Sequence, residues 1–374
     1  MTRIDRSRLD WLAQRSVAVI RANQASSGAY LASPNFPVYR YSWLRDGAFI
    51  ADAMSRAGDI ASAEAFFGWC DRVIRNRAGR IESLITRRTT GEAIDRSEFL
   101  PTRYTIDGEE GREDWTEFQL DGYGTWLWAM DAHARRHNRS IEPWLAGATA
   151  SARYAAAFWD HPSYDWWEEH PDRVHTSTLA AICAGLGAAA SWAPLDAEAR
   201  ATFSTIAGSI RRALIEDAGR AGHLAKWLGS DAVDASLIAV ATPLGVLADD
   251  DPLILATVER IEAELVHGSG VHRYLEDTYF GGGEWLLLSA FLGLQWGRTG
   301  RRAEALAALD WIADQATPAG DLPEQVSSHL LAPAELAPWI ERWGPIATPL
   351  LWSHAMFLSL AIELDMVTPP VAGS

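Results

Sequence analysis

The sequence predicts an all-α protein, built as a closed toroid of helices with an inner and an outer ring. Three observations carry that reading. Apolar residues recur at helical spacing along most of the 374 residues. Strand signals are sparse, and no alternation of strand with helix marks a doubly wound sheet. Successive helical segments follow one another without a strict repeat or a low-complexity linker, so one domain over residues 1–374 is expected.

The elements follow in order. A first helix is expected over Arg8–Gln24, with Leu9, Leu12, Val17 and Ile20 on one side. Asp46–Ala57 follows, then Ile60–Arg77, broken at Gly79. Arg80–Arg88 and Thr102–Ile106 read as the two strands of one hairpin with a long loop between them. Gln119–Arg135 is apolar and aromatic, and Ile141–Trp159 begins near Pro143, a helix-start residue. Further helices are expected over His175–Ser191, Asp196–Leu214, Val233–Val240, Pro252–Val266, Glu284–Gly297, Arg301–Ala316 and Pro349–Leu364. The total is about twelve, with boundaries uncertain by a few residues. The longer connections are Ser26–Arg45, Arg80–Glu117, His161–Val174, Gly268–Gly283 and Thr317–Ile346. Long loops on a rigid scaffold often carry function, and in a toroid of helix pairs they gather at one end.

Charge narrows the partners. Lys plus Arg is 33 and Asp plus Glu is 49, a net charge of −16. Such a surface repels phosphate backbones, so neither nucleic acid nor an anionic membrane is expected as a partner, and a neutral small ligand fits better. Cys70 and Cys183 both sit among apolar residues and read as buried thiols, not as a disulfide framework. The uncharged stretch Thr176–Leu195 is long enough to span a bilayer, but it is rich in Ala and Gly and reads as an interior helix. The first ten residues have no apolar core of a signal peptide, and a cytoplasmic protein is expected. Eighteen tryptophans are unusual, and one reading is a well-filled core. Indole faces also cover the apolar C–H faces of a pyranose.

Acids, arginines and aromatics concentrate in four of the loops. In Tyr39-Arg40-Tyr41-Ser42-Trp43-Leu44-Arg45-Asp46, an adjacent Arg–Asp pair can grip vicinal hydroxyls, Arg donating and Asp accepting; the plainer reading is a helix cap beside a surface arginine. In Asp165-Trp166-Trp167-Glu168-Glu169, indoles beside carboxyls raise a carboxyl pKa and keep the proton a general acid needs; a solvated acidic turn is the alternative. The stretch His272–Phe280 leads into Gly281-Gly282-Gly283-Glu284-Trp285. These glycines do not follow a strand, so they are not a phosphate loop; they let the backbone pass close to a ligand or a helix, or simply form a turn. In Gly320-Asp321-Leu322-Pro323-Glu324-Gln325, a proline fixes the residue before Glu324, which otherwise reads as a capping glutamate. His133 and His137 have metal-like spacing on a helix, but the intervening Ala-Arg-Arg lacks the glutamate of a zinc hydrolase and adds positive charge. No Gly-x-Ser-x-Gly motif supports a serine hydrolase. Neither a catalytic metal nor a cofactor is expected, while a structural ion is left open.

At these clusters the chain resembles glycoside hydrolase family 15, the glucoamylase-like family. Trp43-Leu44-Arg45-Asp46 is similar to the family's Trp-x-Arg-Asp segment, Gln119-Leu120-Asp121-Gly122 to its next helix entry, and Leu351-Trp352-Ser353-His354-Ala355 to its closing helix. Trp167-Glu168-Glu169 resembles the segment whose first glutamate is the general acid, and Pro323-Glu324-Gln325 the segment bearing the general base. The matches run in order from Tyr39 to Ile362. The resemblance implies an (α/α)6 barrel with Glu168 and Glu324 as the catalytic pair. It implies substrate contacts from Tyr39, Trp43, Arg45, Asp46, Trp167, Glu169, Arg273, Tyr279 and Trp285. No β-sandwich or starch-binding module accompanies the match, which favours short oligosaccharides, with isomaltose first among them. An α-1,4 glucosidase, a trehalase, a sugar isomerase or epimerase and a non-catalytic sugar binder are the alternatives; the last two are disfavoured because the clusters centre on glutamate, not histidine, and both candidate glutamates are present.

Overall fold

Helices that bury every face need neighbours all round, and helices with one polar face need only one. That difference sorts the chain into two rings. A computed structural model describes residues 5–112 and 118–371; residues 113–117, the end of the expected Arg80–Glu117 loop, lie outside the described residues, as do both extreme termini. In chain order the α-helices are α1 (Arg6–Ala22), α2 (Leu44–Arg56), α3 (Ile60–Arg75), α4 (Ala78–Thr90), α5 (Asp121–His137), α6 (Leu145–Phe158), α7 (Thr176–Ala189), α8 (Ala197–Ala213), α9 (Pro252–Leu265), α10 (Leu286–Arg298), α11 (Arg302–Asp314), α12 (Leu336–Trp343) and α13 (Leu351–Glu363).

The inner ring closes on itself. α2 packs on α5, α5 on α7, α7 on a short 3-10 helix at Ala235–Val240, that segment on α10, α10 on α13, and α13 back on α2. Every residue from Leu44 to Ser55 of α2 and from Leu286 to Trp296 of α10 is buried, as all-round apolar packing requires. The outer ring is α1, α3, α6, α8, α9 and α11, each against inner neighbours. The result is an (α/α)6 barrel. Outer helices start on aspartate caps: Asp5 accepts from the Ser7 and Arg8 amides, Asp59 from Ser62 and Asp196 from Ala199. The uncharged Thr176–Leu195 stretch supplies the inner helix α7. Among the described residues no helix is long and apolar enough to cross a membrane. Cys70 and Cys183 are buried free thiols.

Three expectations need correction. Arg80–Arg88 is not a strand: it lies within α4, where Ile81 and Leu84 turn inward together and Gly91, left-handed at φ 73°, ends the helix. The strand near Thr102 is real but short; β2 (Arg103–Tyr104) pairs antiparallel with β1 (Ser42–Trp43) instead. The loop Thr317–Ile346 is interrupted by α12, whose Pro338 falls in the first turn, where a proline costs no hydrogen bond. Two further ribbons pair β3 (Val266–His267) with β4 (Gly270–Val271), and β5 (Glu284–Trp285) with β6 (Gln325–Val326). His133 and His137 serve packing: His133 Nδ1 lies 2.9 Å from Ser55 Oγ, and His137 Nε2 is 3.0 Å from the Ser55 carbonyl.

The α2, α5, α10 and α13 helices all begin at the same end of the barrel. Trp43–Asp46, Asp121, Trp285 and Leu350–Trp352 mark those starts, so the residues that open each helix are brought together by the ring itself. The ring is tightest between α5 and α7, where a Cβ on Gly124 would stand 2.3 Å from the Ala181 carbonyl oxygen and one on Gly185 2.5 Å from that of Gly124. Gly124→Ala is therefore expected to lower stability by about 1–3 kcal/mol, read as a drop in the urea midpoint at unchanged slope; an unchanged midpoint would show that the contact has slack.

Candidate active site

A cavity of about 690 Å³ occupies that end of the barrel. All eleven residues singled out from the sequence line it: Tyr39, Trp43, Arg45, Asp46, Trp167, Glu168, Glu169, Arg273, Tyr279, Trp285 and Glu324. Beneath them Trp166 and Trp352 pack with Phe49, centroids 5.2–5.8 Å apart, and close the cavity toward the barrel core.

The first wall is the start of α2. Arg45 Nη1 donates to Gln119 Oε1 at 2.7 Å and to Asp121 Oδ2 at 2.9 Å, so the entry to α5 holds the guanidinium in place. Its Nε lies 3.4 Å from Asp46 Oδ2. Burial pushes the Asp46 carboxyl up to about 6; Arg45 pulls it down, and the neighbouring Glu168 carboxyl adds to the rise. Trp43 Nε1 donates to Glu168 Oε1 at 2.6 Å. Among the described residues, buried polar atoms on seven cavity-lining side chains have no hydrogen-bond partner: Arg45 Nε, Asp46 Oδ2, Trp166 Nε1, Trp285 Nε1, Glu324 Oε2, Trp339 Nε1 and Trp352 Nε1. Buried polar groups are seldom left unpaired, and this set suits a ligand rich in hydroxyls.

The second wall is a tight turn. Asp165 Oδ1 accepts from the Trp167 and Glu169 amides at 2.9 and 2.8 Å, and the Glu168 amide donates to the Asp165 carbonyl. This holds Glu168 at φ 64°, a left-handed backbone that costs a side-chain-bearing residue on the order of 1–2 kcal/mol. Behind the turn sits Lys226, 3.3 Å from Asp234 Oδ2, 3.8 Å from Asp165 Oδ2 and over the Tyr274 ring. Asp234 Oδ2 also accepts from Trp167 Nε1 at 2.9 Å. Burial raises the Asp165 carboxyl to about 7 even though Lys226 works against it. Sequence reasoning passed over Lys226. Its signal was composition: it is the one lysine among 33 basic residues.

The third wall is Arg273, which grips Asp277 through Nε at 2.8 Å and through Nη2, while Nη2 also lies 3.4 Å from Glu169 Oε1. The Tyr274 hydroxyl donates to Glu169 Oε2, so Glu169 is held from two sides. The guanidinium lies 5.1 Å from the Trp167 ring, 5.2 Å from Tyr279 and 5.4 Å from Trp285. The glycine run does bring backbones close: a Cβ on Gly282 would stand 2.4 Å from the Asp277 carbonyl oxygen.

The fourth wall carries Glu324. Its amide donates to the Ala347 carbonyl, and the next residue, Gln325, pairs with Trp285 across the β5–β6 ribbon. The preceding Leu322 amide donates to His354 Nε2 at 3.0 Å. Nε2 is thus the acceptor, which leaves the proton on Nδ1 to be donated to Ser16 Oγ at 2.8 Å. Glu324 is buried, and burial raises its carboxyl to about 8, with the Tyr39 hydroxyl drawing it part of the way back. Tyr39 and Tyr279 share a hydroxyl–hydroxyl contact of 2.8 Å, and both phenols are raised first by burial and then by the negative Glu324 beside them. Over the mouth lie Glu335, Pro338, Trp339, Arg342 and Trp343 from α12 and its approach, a wall that was read from the sequence as loop.

Two carboxyl groups in an indole- and phenol-lined pocket at the end of an (α/α)6 barrel mark the molecule as a glycoside hydrolase. The chain belongs to the glycosyl hydrolases family 15, whose model matches residues 7–337. It is 48% identical to the isomaltose glucohydrolase of Kribbella flavida, over 97% of this chain and 95% of that protein. A solved glycosidase variant in complex with glucose matches with a TM-score of 0.95 and 46% identity, covering 98% of this chain and 100% of the other. A bacterial glucoamylase complexed with acarbose shares the fold, with a TM-score of 0.74 at 20% identity over 96% of this chain and 56% of that one.

Two expectations follow from the supports of the site. Lys226→Met leaves Asp165 and Asp234 buried without their cation and should destabilise by about 3–5 kcal/mol in chemical denaturation. Adding Asp165→Asn should return part of that loss; a single variant as stable as the parent would show the lysine to be incidental. Burial, reinforced by Arg15, holds the His354 imidazole down at about 3. The unfolded chain then takes up a proton below about 6.5 that the folded chain refuses, so stability is intact above that pH. It falls by about 1.4 kcal/mol per pH unit between there and about 3. Denaturation midpoints from pH 7 to 4 should decline less steeply in His354→Gln, and equal slopes would contradict the assignment.

Proposed function

We propose that the chain is an exo-acting, inverting α-glucoside hydrolase that releases β-glucose from the non-reducing end of short α-gluco-oligosaccharides, with α-1,6-linked isomaltose as the preferred type. The observation that carries the reading is that Glu168 and Glu324 both reach one pocket closed at its inner end, with Tyr39 and Tyr279 beside both carboxyls. A closed inner end admits a chain terminus and not a chain interior, which supports exo action. The wall formed by α12 narrows the approach and favours short substrates. The linkage preference leans on the isomaltose glucohydrolase relative. The whole chain acts as one catalytic domain on a small oligosaccharide, and a cytoplasmic setting with imported sugars accords with it.

In this reading Glu168, neutral, protonates the glycosidic oxygen as the C–O bond breaks. Glu324, ionised, takes a proton from water as that water bonds to the anomeric carbon from the opposite face. The sugar leaves with inverted configuration, one carboxyl having lost a proton and the other gained one. Room for the water needs carboxyls about 6.5–9.5 Å apart. Burial that raises Glu324 to about 8 makes its carboxylate a stronger base than an exposed one but leaves only a fraction of it ionised at neutral pH, so activity that depends on this base should rise as pH approaches that value. Arg45 and Asp46, whose Nε and Oδ2 face each other at 3.4 Å without a hydrogen bond, grip the outer hydroxyls of the terminal glucose. Trp43, Trp167 and Trp285 supply apolar walls, and Arg273 with Glu169 lies toward the leaving sugar.

Glu168→Gln and Glu324→Gln are each expected to lose at least about a thousandfold in kcat with an unchanged fold by circular dichroism. A proton NMR time course on isomaltose should show β-glucose in initial excess over the anomeric mixture released from the reducing end, with maltose and trehalose cleaved more slowly. An initial excess of α-glucose over that mixture, or near-normal turnover in either variant, would overturn the assignment.

A further inference from the structure

We propose that His267, Glu284 and His329 form a binding site for one divalent transition-metal ion of the zinc type, outside the sugar pocket. Glu284 is 1% exposed, so its charge needs a partner, yet no arginine or lysine among the described residues pairs with it. The groups that meet it are two histidines. His329 Nδ1 lies 3.2 Å from each carboxylate oxygen, and His267 Nδ1 lies 4.0 Å from Oε1. One ligand atom from each of the three residues lies within 4.8 Å of the others. An ion with bonds of about 2.0–2.1 Å in tetrahedral geometry spaces its ligand atoms about 3.3–3.4 Å apart, so these donors need only small shifts to share one. The two imidazole rings stand 3.5 Å apart between centroids.

The surroundings favour a built site. A Cβ on Gly270 would stand 2.2 Å from Glu284 Oε1, so glycine there lets β4 cross directly over the carboxylate. Successive strand residues face opposite ways: Trp285 lines the sugar pocket, and Glu284 belongs to the other side of the ribbon. His267 and His329 have side chains 59% and 49% exposed, which leaves an entry path and space for water ligands. Two imidazoles and one carboxylate suit Zn2+, Ni2+ or Cu2+ and disfavour Ca2+ and Mg2+. A bound ion would clip the β3–β4 hairpin and β5 to the segment that follows β6, next in sequence to Glu324. Its role is to brace the pocket wall, not to take part in bond cleavage, and it does not depend on the proposed substrate. The three residues lie far apart in sequence, so no ligand spacing announced them.

The test uses full-length protein with any affinity tag removed, stripped with EDTA and desalted. Calorimetric titration with zinc chloride should show one equivalent bound per chain, retained through desalting by elemental analysis, together with a raised melting midpoint. The double variant His267→Ala/His329→Ala changes exposed side chains and should fold, yet weaken Zn2+ binding by at least about a hundredfold and lose the thermal shift. Co2+ should give visible absorption bands in the parent and not in the double variant. No bound zinc, zinc bound equally by the double variant, or Mg2+ binding as tightly as Zn2+ would each overturn the proposal.

Discussion

Three buried cations depend on carboxylates that the folded barrel alone brings to them. Arg45 at the start of α2 meets Asp121 of α5, Arg273 meets Glu169 of the facing turn as well as its own Asp277, and Lys226 lies between Asp165 and Asp234. An unpaired charge in such a place costs several kcal/mol, so each pairing forms only when the elements that carry it have closed. The fold and the pocket are thereby tied to one another. Carboxylates also outnumber the cations. Burial lifts Asp46 to about 6 and Glu324 to about 8, and neighbouring carboxylates add to it.

The scaffold then limits how far the parts can drift. Arg45, Asp46 and Trp352 sit at the first turns of inner helices and Trp43 and Trp285 on two-residue ribbons, while Glu168, Glu169, Arg273 and Glu324 sit in connections tied down by hydrogen bonds and ion pairs. Arg45 is fastened by Gln119 and Asp121, Glu168 by the Asp165 turn and the Trp43 indole, and Glu324 by a segment hung on His354. Geometry held in this way needs little rearrangement when sugar enters, which is how preorganised donors lower a barrier.

Much of this was legible because the pocket's charged side chains come in short runs with unusual chemistry. Arg45-Asp46, Trp167-Glu168-Glu169 and Pro323-Glu324 each combine charge with a rigid or aromatic neighbour, and all fall between helices. The closed ring was legible from successive helical segments that follow one another without a linker. What escaped the sequence was mostly long-range. α4 carries few apolar residues and several threonines, so its period was ambiguous, and only Ile81 and Leu84 turning inward settle it. The true partner of Arg103 and Tyr104 lies about sixty residues upstream at Ser42 and Trp43, beyond any hairpin logic. α12 is two turns long with a proline inside, below the length at which periodicity speaks. Lys226 acts through Asp165, distant in sequence, and its neighbourhood looks like ordinary core; His354 lies in a segment that stood out, but its bonds to Leu322 and Ser16 did not.

The most direct test is a crystal structure of the Glu324→Gln variant soaked with isomaltose. The account predicts the terminal glucose against Arg45 and Asp46, its glycosidic oxygen within hydrogen-bond reach of Glu168, and an ordered water between the anomeric carbon and residue 324. The separation of the two carboxyl-type groups should fall at about 6.5–9.5 Å. A sugar bound elsewhere, or a separation near 5 Å that leaves no room for water, would contradict it.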